Sequence, residues 1–125
     1  MRRPWVVLVA GIAPLAGCDG GDGHEGRAVT LPAGRTLSVK ADEYSFDPDR
    51  VTVRKPGELR ITLRNDGSLA HDLRVFRGKR EVGGTPPFQK GERPARVRLS
   101  SGRYRFVCTI GDHAKLGMVG TLTVR

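Results

Sequence analysis

The chain has 125 residues, 22 Lys+Arg against 13 Asp+Glu, 38% hydrophobic residues, 17 glycines and 2 cysteines. That length accommodates one small domain and a short additional segment and leaves no room for a second domain. Basic residues such as Arg60, Arg64, Arg96, Arg98, Arg103 and Arg105 alternate with apolar ones, the pattern of a solvated strand face, which argues against nucleic-acid binding.

The additional segment comes first. Residues 1–17, MRRPWVVLVAGIAPLAG, carry two arginines, an apolar run through Ile12 and small residues ahead of Cys18, the organisation of an export signal peptide. The run is too short for a bilayer core that needs roughly 20 apolar residues, and Pro14 breaks it. Leu15-Ala16-Gly17-Cys18 resembles the lipobox of bacterial lipoproteins, which implies that Cys18 becomes the acylated N-terminus of the mature chain. An ordinary secretory signal, in which Cys18 has no role, is the alternative. Loss of Arg2 and Arg3 leaves 20 Lys+Arg against 13 Asp+Glu, a net charge of +7. The expectation is an exported, lipid-anchored protein on the periplasmic or extracytoplasmic face of a membrane, with its domain in water. Its basic charge suits an anionic lipid surface or an acidic protein partner. Residues 18–36 read as the lipidated N-terminus and a flexible, glycine-rich linker, in which His24 is a solvated spacer residue.

From Leu37 the pattern has period two. LSVKA, VTVRK, ELRITLRN, HDLRVFR, ARVRL, GRYRFVC and VGTLTVR each put apolar residues on one side and polar residues on the other. Turn chemistry separates them at Asp47-Pro48-Asp49, Lys55-Pro56-Gly57, Asn65-Asp66-Gly67, Gly83-Gly84 and Ser100-Ser101-Gly102. Residues 37–125 are therefore expected to form an all-β Greek-key sandwich of seven to eight antiparallel strands, filled by rows such as Leu59/Ile61/Leu63, Val97/Leu99 and Tyr104/Phe106. Residues 77–94 lack a strong strand signal and read as a long connection with Pro86-Pro87-Phe88 packed over the sandwich.

If Cys18 is acylated, Cys108 has no disulfide partner, and an exported domain retains one thiol. Taken alone, Cys108 is a buried inert residue; its neighbours change that reading. Tyr104, Phe106 and Cys108 share the inward face of a strand, and the loop that follows supplies His113 and Met118, with Gly111 and Gly117 permitting tight turns. His71, opening the strand HDLRVFR, offers a second imidazole. Two imidazoles, a thiolate and a thioether suit a trigonal copper site with a weak, long axial sulfur. Zinc prefers four strong Cys or His ligands, and calcium or magnesium an oxygen cluster, so both fit less well. A Cys–His hydrolase would need a substrate cleft and an orienting third residue, neither of which is visible.

YSFDPDRVTVRKPGELRITLRNDG, NDGSLAHDLRVF and YRFVCTIGDHAKLGMVGTLTV together resemble the cupredoxins, the plastocyanin- and azurin-like blue copper proteins, over residues 37–125. The resemblance implies one copper ion with His71, Cys108 and His113 near its plane and Met118 axial. It also implies a monomer without enzymatic activity that carries single electrons between membrane-associated redox partners, acidic proteins among the candidates. A copper-binding protein for storage, delivery or resistance is the alternative. Leu69, Ala70, Ala114 and Leu116 would form either a docking patch around His113 or ordinary core cover. Two departures stand out. Asp72 replaces the usual asparagine after the first histidine, and Gly111-Asp112 replaces a Pro-Gly pair, which implies a looser loop.

Overall fold

The structure, a computed structural model, describes residues 26–125, so the export signal, Cys18 and His24 lie outside the described residues. Ten strands are formed: β1 (Ala28–Leu31), β2 (Leu37–Asp42), β3 (Ser45–Asp47), β4 (Arg50–Val53), β5 (Gly57–Asn65), β6 (Arg74–Arg77), β7 (Arg80–Gly84), β8 (Gly91–Leu99), β9 (Gly102–Val107) and β10 (Val119–Val124). They make two sheets, one of six strands in the order β1-β4-β10-β9-β6-β7 and one of four in the order β3-β2-β5-β8.

The period-two alternation dictates how the sheets face each other. Along β5, Leu59, Ile61 and Leu63 are buried while Glu58, Arg60 and Arg64 face solvent. Val97 and Leu99 of β8 and Tyr104 and Phe106 of β9 point into the same space. Phe46 of β3 meets Phe106 across the sandwich with ring centroids 5.4 Å apart and tilted by 56°. Such a tilted pair adds about 1 kcal/mol to the burial of its two rings.

Four features differ from the sequence reading. Among the described residues the strands number ten, because β1, β3 and β7 are too short for their alternation to stand out in the sequence. β1 lies inside the segment expected to be linker: it pairs in parallel with β4, Ala28 opposite Arg50, and Val29 and Leu31 pack on the core. Four alternating residues in a glycine-rich stretch give too weak a local pattern to reveal this. The sheets are mixed rather than antiparallel, since β2–β5 and β4–β10 also pair in parallel; side-chain alternation carries no information about strand direction. Finally, residues 77–94 contain β7 and the start of β8. Gly83 and Gly84, expected as a turn, lie within β7, at φ 146° and 155°. A Cβ at Gly84 would stand 2.1 Å from the Leu73 carbonyl oxygen, so close strand approach, not a reversal, requires glycine there.

Candidate metal centre

Cys108 lies one residue beyond β9 and keeps its inward alternation; it is fully buried. The loop 109–118 then returns to it. His113 N–H donates to Ile110 O, Leu116 N–H to Asp112 O and Gly117 N–H to Ala114 O, while Met118 N–H donates to His113 O and Cys108 N–H to Met118 O, each at 3.0–3.2 Å. This internal bonding makes the loop compact rather than loose, Gly111-Asp112 notwithstanding. Gly117 adopts φ 128°, and a Cβ there would meet Tyr44 O at 2.8 Å.

His71 arrives from the other segment. The buried Asn65 holds the preceding turn, its Nδ2 donating to Leu69 O (2.9 Å) and Phe88 O (2.8 Å) while Gly67 N–H donates to its Oδ1 (2.9 Å). His71 itself does not open a strand; it forms an isolated antiparallel bridge with Phe88, and β6 begins at Arg74. Phe88 packs on the core, as the sequence reading expected of Pro86-Pro87-Phe88.

The two segments bring His71, Cys108 and His113 together, with a ligand atom of each within 4.8 Å of the others. Cys108 Sγ lies 4.0 Å from His71 Nδ1 and 3.5 Å from His113 Nδ1, and the two Nδ1 atoms are 3.2 Å apart. An ion bound at about 2.0 Å to nitrogen and about 2.3 Å to sulfur in a trigonal plane separates its ligands by roughly 3.5–3.7 Å. The triangle fits one such ion. Met118 is also fully buried and is tied by its backbone to Cys108 and His113. A thiolate, two imidazoles and a neighbouring thioether form the donor set of a single copper ion.

Sequence reasoning missed one contributor. Glu43, in the β2–β3 connection, places Oε1 3.2 Å from His71 Nε2 and accepts a hydrogen bond from Leu69 N–H at 2.7 Å. A carboxylate there makes Nε2 the protonated nitrogen and leaves the Nδ1 lone pair facing Cys108. The Leu69 N–H bond, opposed by burial and assisted by His71, holds the Glu43 carboxyl below its ordinary range. A glutamate some thirty residues before the first histidine carries no local signal; only the fold makes them neighbours.

Asp72 is buried and joins the two ligand segments, because Thr109, next to Cys108, donates its N–H to Oδ1 (2.6 Å) and its hydroxyl to Oδ2 (2.5 Å). An acceptor-only side chain thus makes the link. Burial pushes the Cys108 thiol above its ordinary value; backbone hydrogen bonds oppose this, and the Asp72 charge adds to it. Around the half-buried His113, Leu69 is 42% and Leu116 57% exposed, so these two are surface, not core cover. Tyr44 lies against the His113 ring at 5.0 Å.

Fold and donor set define a class: the chain has the cupredoxin fold, with a site suited to one copper ion. No protein-family model matches the chain. Among curated proteins it is 27% identical, over 160 aligned positions, to the copper-resistant cuproprotein CopI of Rubrivivax gelatinosus, covering 98% of this chain and 96% of that one. Among solved structures it superposes on dithionite-reduced auracyanin from Roseiflexus castenholzii with a TM-score of 0.66 at 18% identity, covering 72% of this chain and 96% of that one. Rusticyanin from Thiobacillus ferrooxidans gives 0.66 at 20% identity, covering 78% and 82%. Auracyanin A of Chloroflexus aurantiacus, a "blue" copper protein, gives 0.61 at 17% identity, covering 76% and 100%.

Proposed function

We propose that the chain is a mononuclear type 1 copper protein that carries single electrons, in which His71, Cys108, His113 and Met118 would hold the ion, the thioether as the weakest of the four ligands. The observation that carries this reading is the convergence of two imidazole nitrogens and one thiol sulfur, from distant segments, at one end of a β-sandwich. When bound, copper supplies a one-electron Cu(I)/Cu(II) couple. The chain's own residues do the rest. The hydrogen-bonded loop 109–118 and the Asp72–Thr109 link restrain the donors, so little rearranges between oxidation states. Glu43 and Asp72 place negative charge beside the centre, which favours the more highly charged ion and lowers the potential. Electrons enter and leave at the half-buried edge of His113, within the Leu69/Leu116 patch. In this reading no substrate is turned over, and the partners are redox proteins that dock at that patch.

The export signal and the lipobox-like Cys18 support attachment to a membrane, with the domain on the extracytoplasmic side. Likeness to the copper-resistant cuproprotein CopI favours a second reading, in which the same site holds copper for storage, delivery or resistance.

Colour separates the two. The copper-loaded chain is expected to show an intense visible thiolate-to-Cu(II) band that Cys108→Ser abolishes, together with reversible voltammetry. A colourless Cu(II) complex, or rapid surrender of Cu(I) to a chelating acceptor without reversible electrochemistry, overturns electron transfer in favour of copper handling. Met118→Leu should shift the potential and spare the colour; loss of both would show that Met118 is not the weak fourth ligand.

A further inference from the structure

Basic residues that look scattered along the sequence are gathered by the fold at the end of the sandwich opposite the ligand cluster. The β1–β2 loop brings Arg35 there, and the β4–β5 loop brings Arg54 and Lys55. The tip of the β6–β7 hairpin adds Lys79 and Arg80, and Arg98 and Arg103 flank the β8–β9 turn; all of these are exposed. Two shallow clefts make this one continuous surface. A cleft of about 200 Å³ is lined by Arg35, Lys55 and Glu58, another of about 670 Å³ by Arg80, Arg98 and Glu81, and they share Pro56, Gly57 and Leu99.

Cations outnumber carboxylates at this end, where seven of them face Glu58 and Glu81. Among the described residues none of those seven cations has a carboxylate within 4.0 Å; nearby Glu58 lies 3.9 Å from Arg60, and Glu81 engages Arg74. Arg77 and Arg80 are direct cross-strand partners, an arrangement that costs stability unless a counter-charge arrives from outside. Arg77 donates to neutral groups alone, Ser100 Oγ at 2.9 Å, Ser101 O at 3.1 Å and Tyr104 OH at 3.2 Å.

The chemistry of the occupant follows from what this end lacks. The large hydrophobic side chains exposed among the described residues are Leu69, Leu116 and Val119, all at the ligand end. A protein interface needs a desolvated apolar or aromatic centre, and single-stranded nucleic acid needs exposed aromatic faces. A diffuse set of cations on loop tips instead matches a layer of anionic headgroups. We propose that this pole, apart from any acyl anchor at Cys18, rests on an anionic bilayer surface through charge, which turns the ligand end and its apolar patch outward, toward a partner in the aqueous phase. The proposal is independent of the metal.

Vesicle co-sedimentation tests it, using the chain without residues 1–17 and with Cys18→Ser, so that no acyl group contributes; all ten strands lie within the residues retained. Binding is expected to vesicles containing phosphatidylglycerol, to be absent with pure phosphatidylcholine and to weaken with salt. Each basic residue contributes about fivefold in partition, so Lys55→Glu/Arg80→Glu should weaken binding about twentyfold or more. Lys90→Glu, an exposed charge preceding β8 at the ligand end, should leave it within about twofold. The Lys55→Gln/Arg80→Gln pair serves if the reversal fails to fold, with circular dichroism as the check. Equal binding to both vesicle types, an equal loss in the Lys90 variant, or no vesicle binding alongside salt-sensitive capture by an acidic protein overturns the proposal.

Discussion

At the scale of single residues, the site depends on two carboxylates as much as on its sulfur and nitrogen donors. Glu43 fixes the tautomer and orientation of His71, and removal of such an outer partner typically weakens metal binding about 10–100-fold. Glu43→Ala should therefore weaken copper binding by that order in a chelator competition. Glu43→Gln keeps an oxygen acceptor, so it should retain most of the affinity while voltammetry reads a more positive potential. An unchanged potential would mean that Glu43 acts through shape alone. Asp72 acts on the other segment. Asp72→Asn removes a buried negative charge but leaves an amide that can still bond Thr109, so the potential should rise with stability nearly intact. Asp72→Ala leaves Thr109 without its acceptor and should cost about 1 kcal/mol in denaturant unfolding. The aspartate after His71 was legible in the sequence; its bond to Thr109, 37 residues away, was not.

At the scale of elements, the loop 109–118 and the turn held by Asn65 are the parts that must keep their shape. Gly117 combines φ 128° with a Cβ position 2.8 Å from Tyr44 O. Gly117→Ala should cost roughly 1–3 kcal/mol and lower the melting temperature, with the copper band broadened or lost, because the strain falls between His113 and Met118. A variant as stable as the parent would show that the loop moves freely. The strong strands β2, β5, β8, β9 and β10 were legible because each buries one face and alternates through five or more residues. The strands β1 and β7 were not. In β1 the pattern is only four residues long, and β7 ends in two glycines whose local signal is that of a turn; pairing with β4 and β6 outweighs both local signals.

At the scale of the whole molecule, a thiol sealed inside the sandwich couples folding, protonation and metal binding. Burial raises the Cys108 pKa above its ordinary value of 9.0. For a group with a raised folded-state pKa, its share of stability is fully present below the unfolded value and lost as pH rises through the folded one. The metal-free protein should thus lose stability above about pH 9, and Cys108→Ser should flatten that limb of the profile. Copper must displace the same proton, so loading near neutral pH should release at least one proton per ion, read with a pH indicator, and affinity should climb about tenfold per pH unit. The alternating strands, the inward row ending at Cys108, and the spacing of Cys108, His113 and Met118 can be read from the amino-acid order, because they are properties of neighbouring residues and of strand periodicity. That His71 meets that loop, that Glu43 and Asp72 stand behind it, that the sheets are mixed, and that scattered arginines and lysines share one pole emerges from the folded chain. Those are contacts between distant segments, set by how two sheets stack, and no local pattern encodes them.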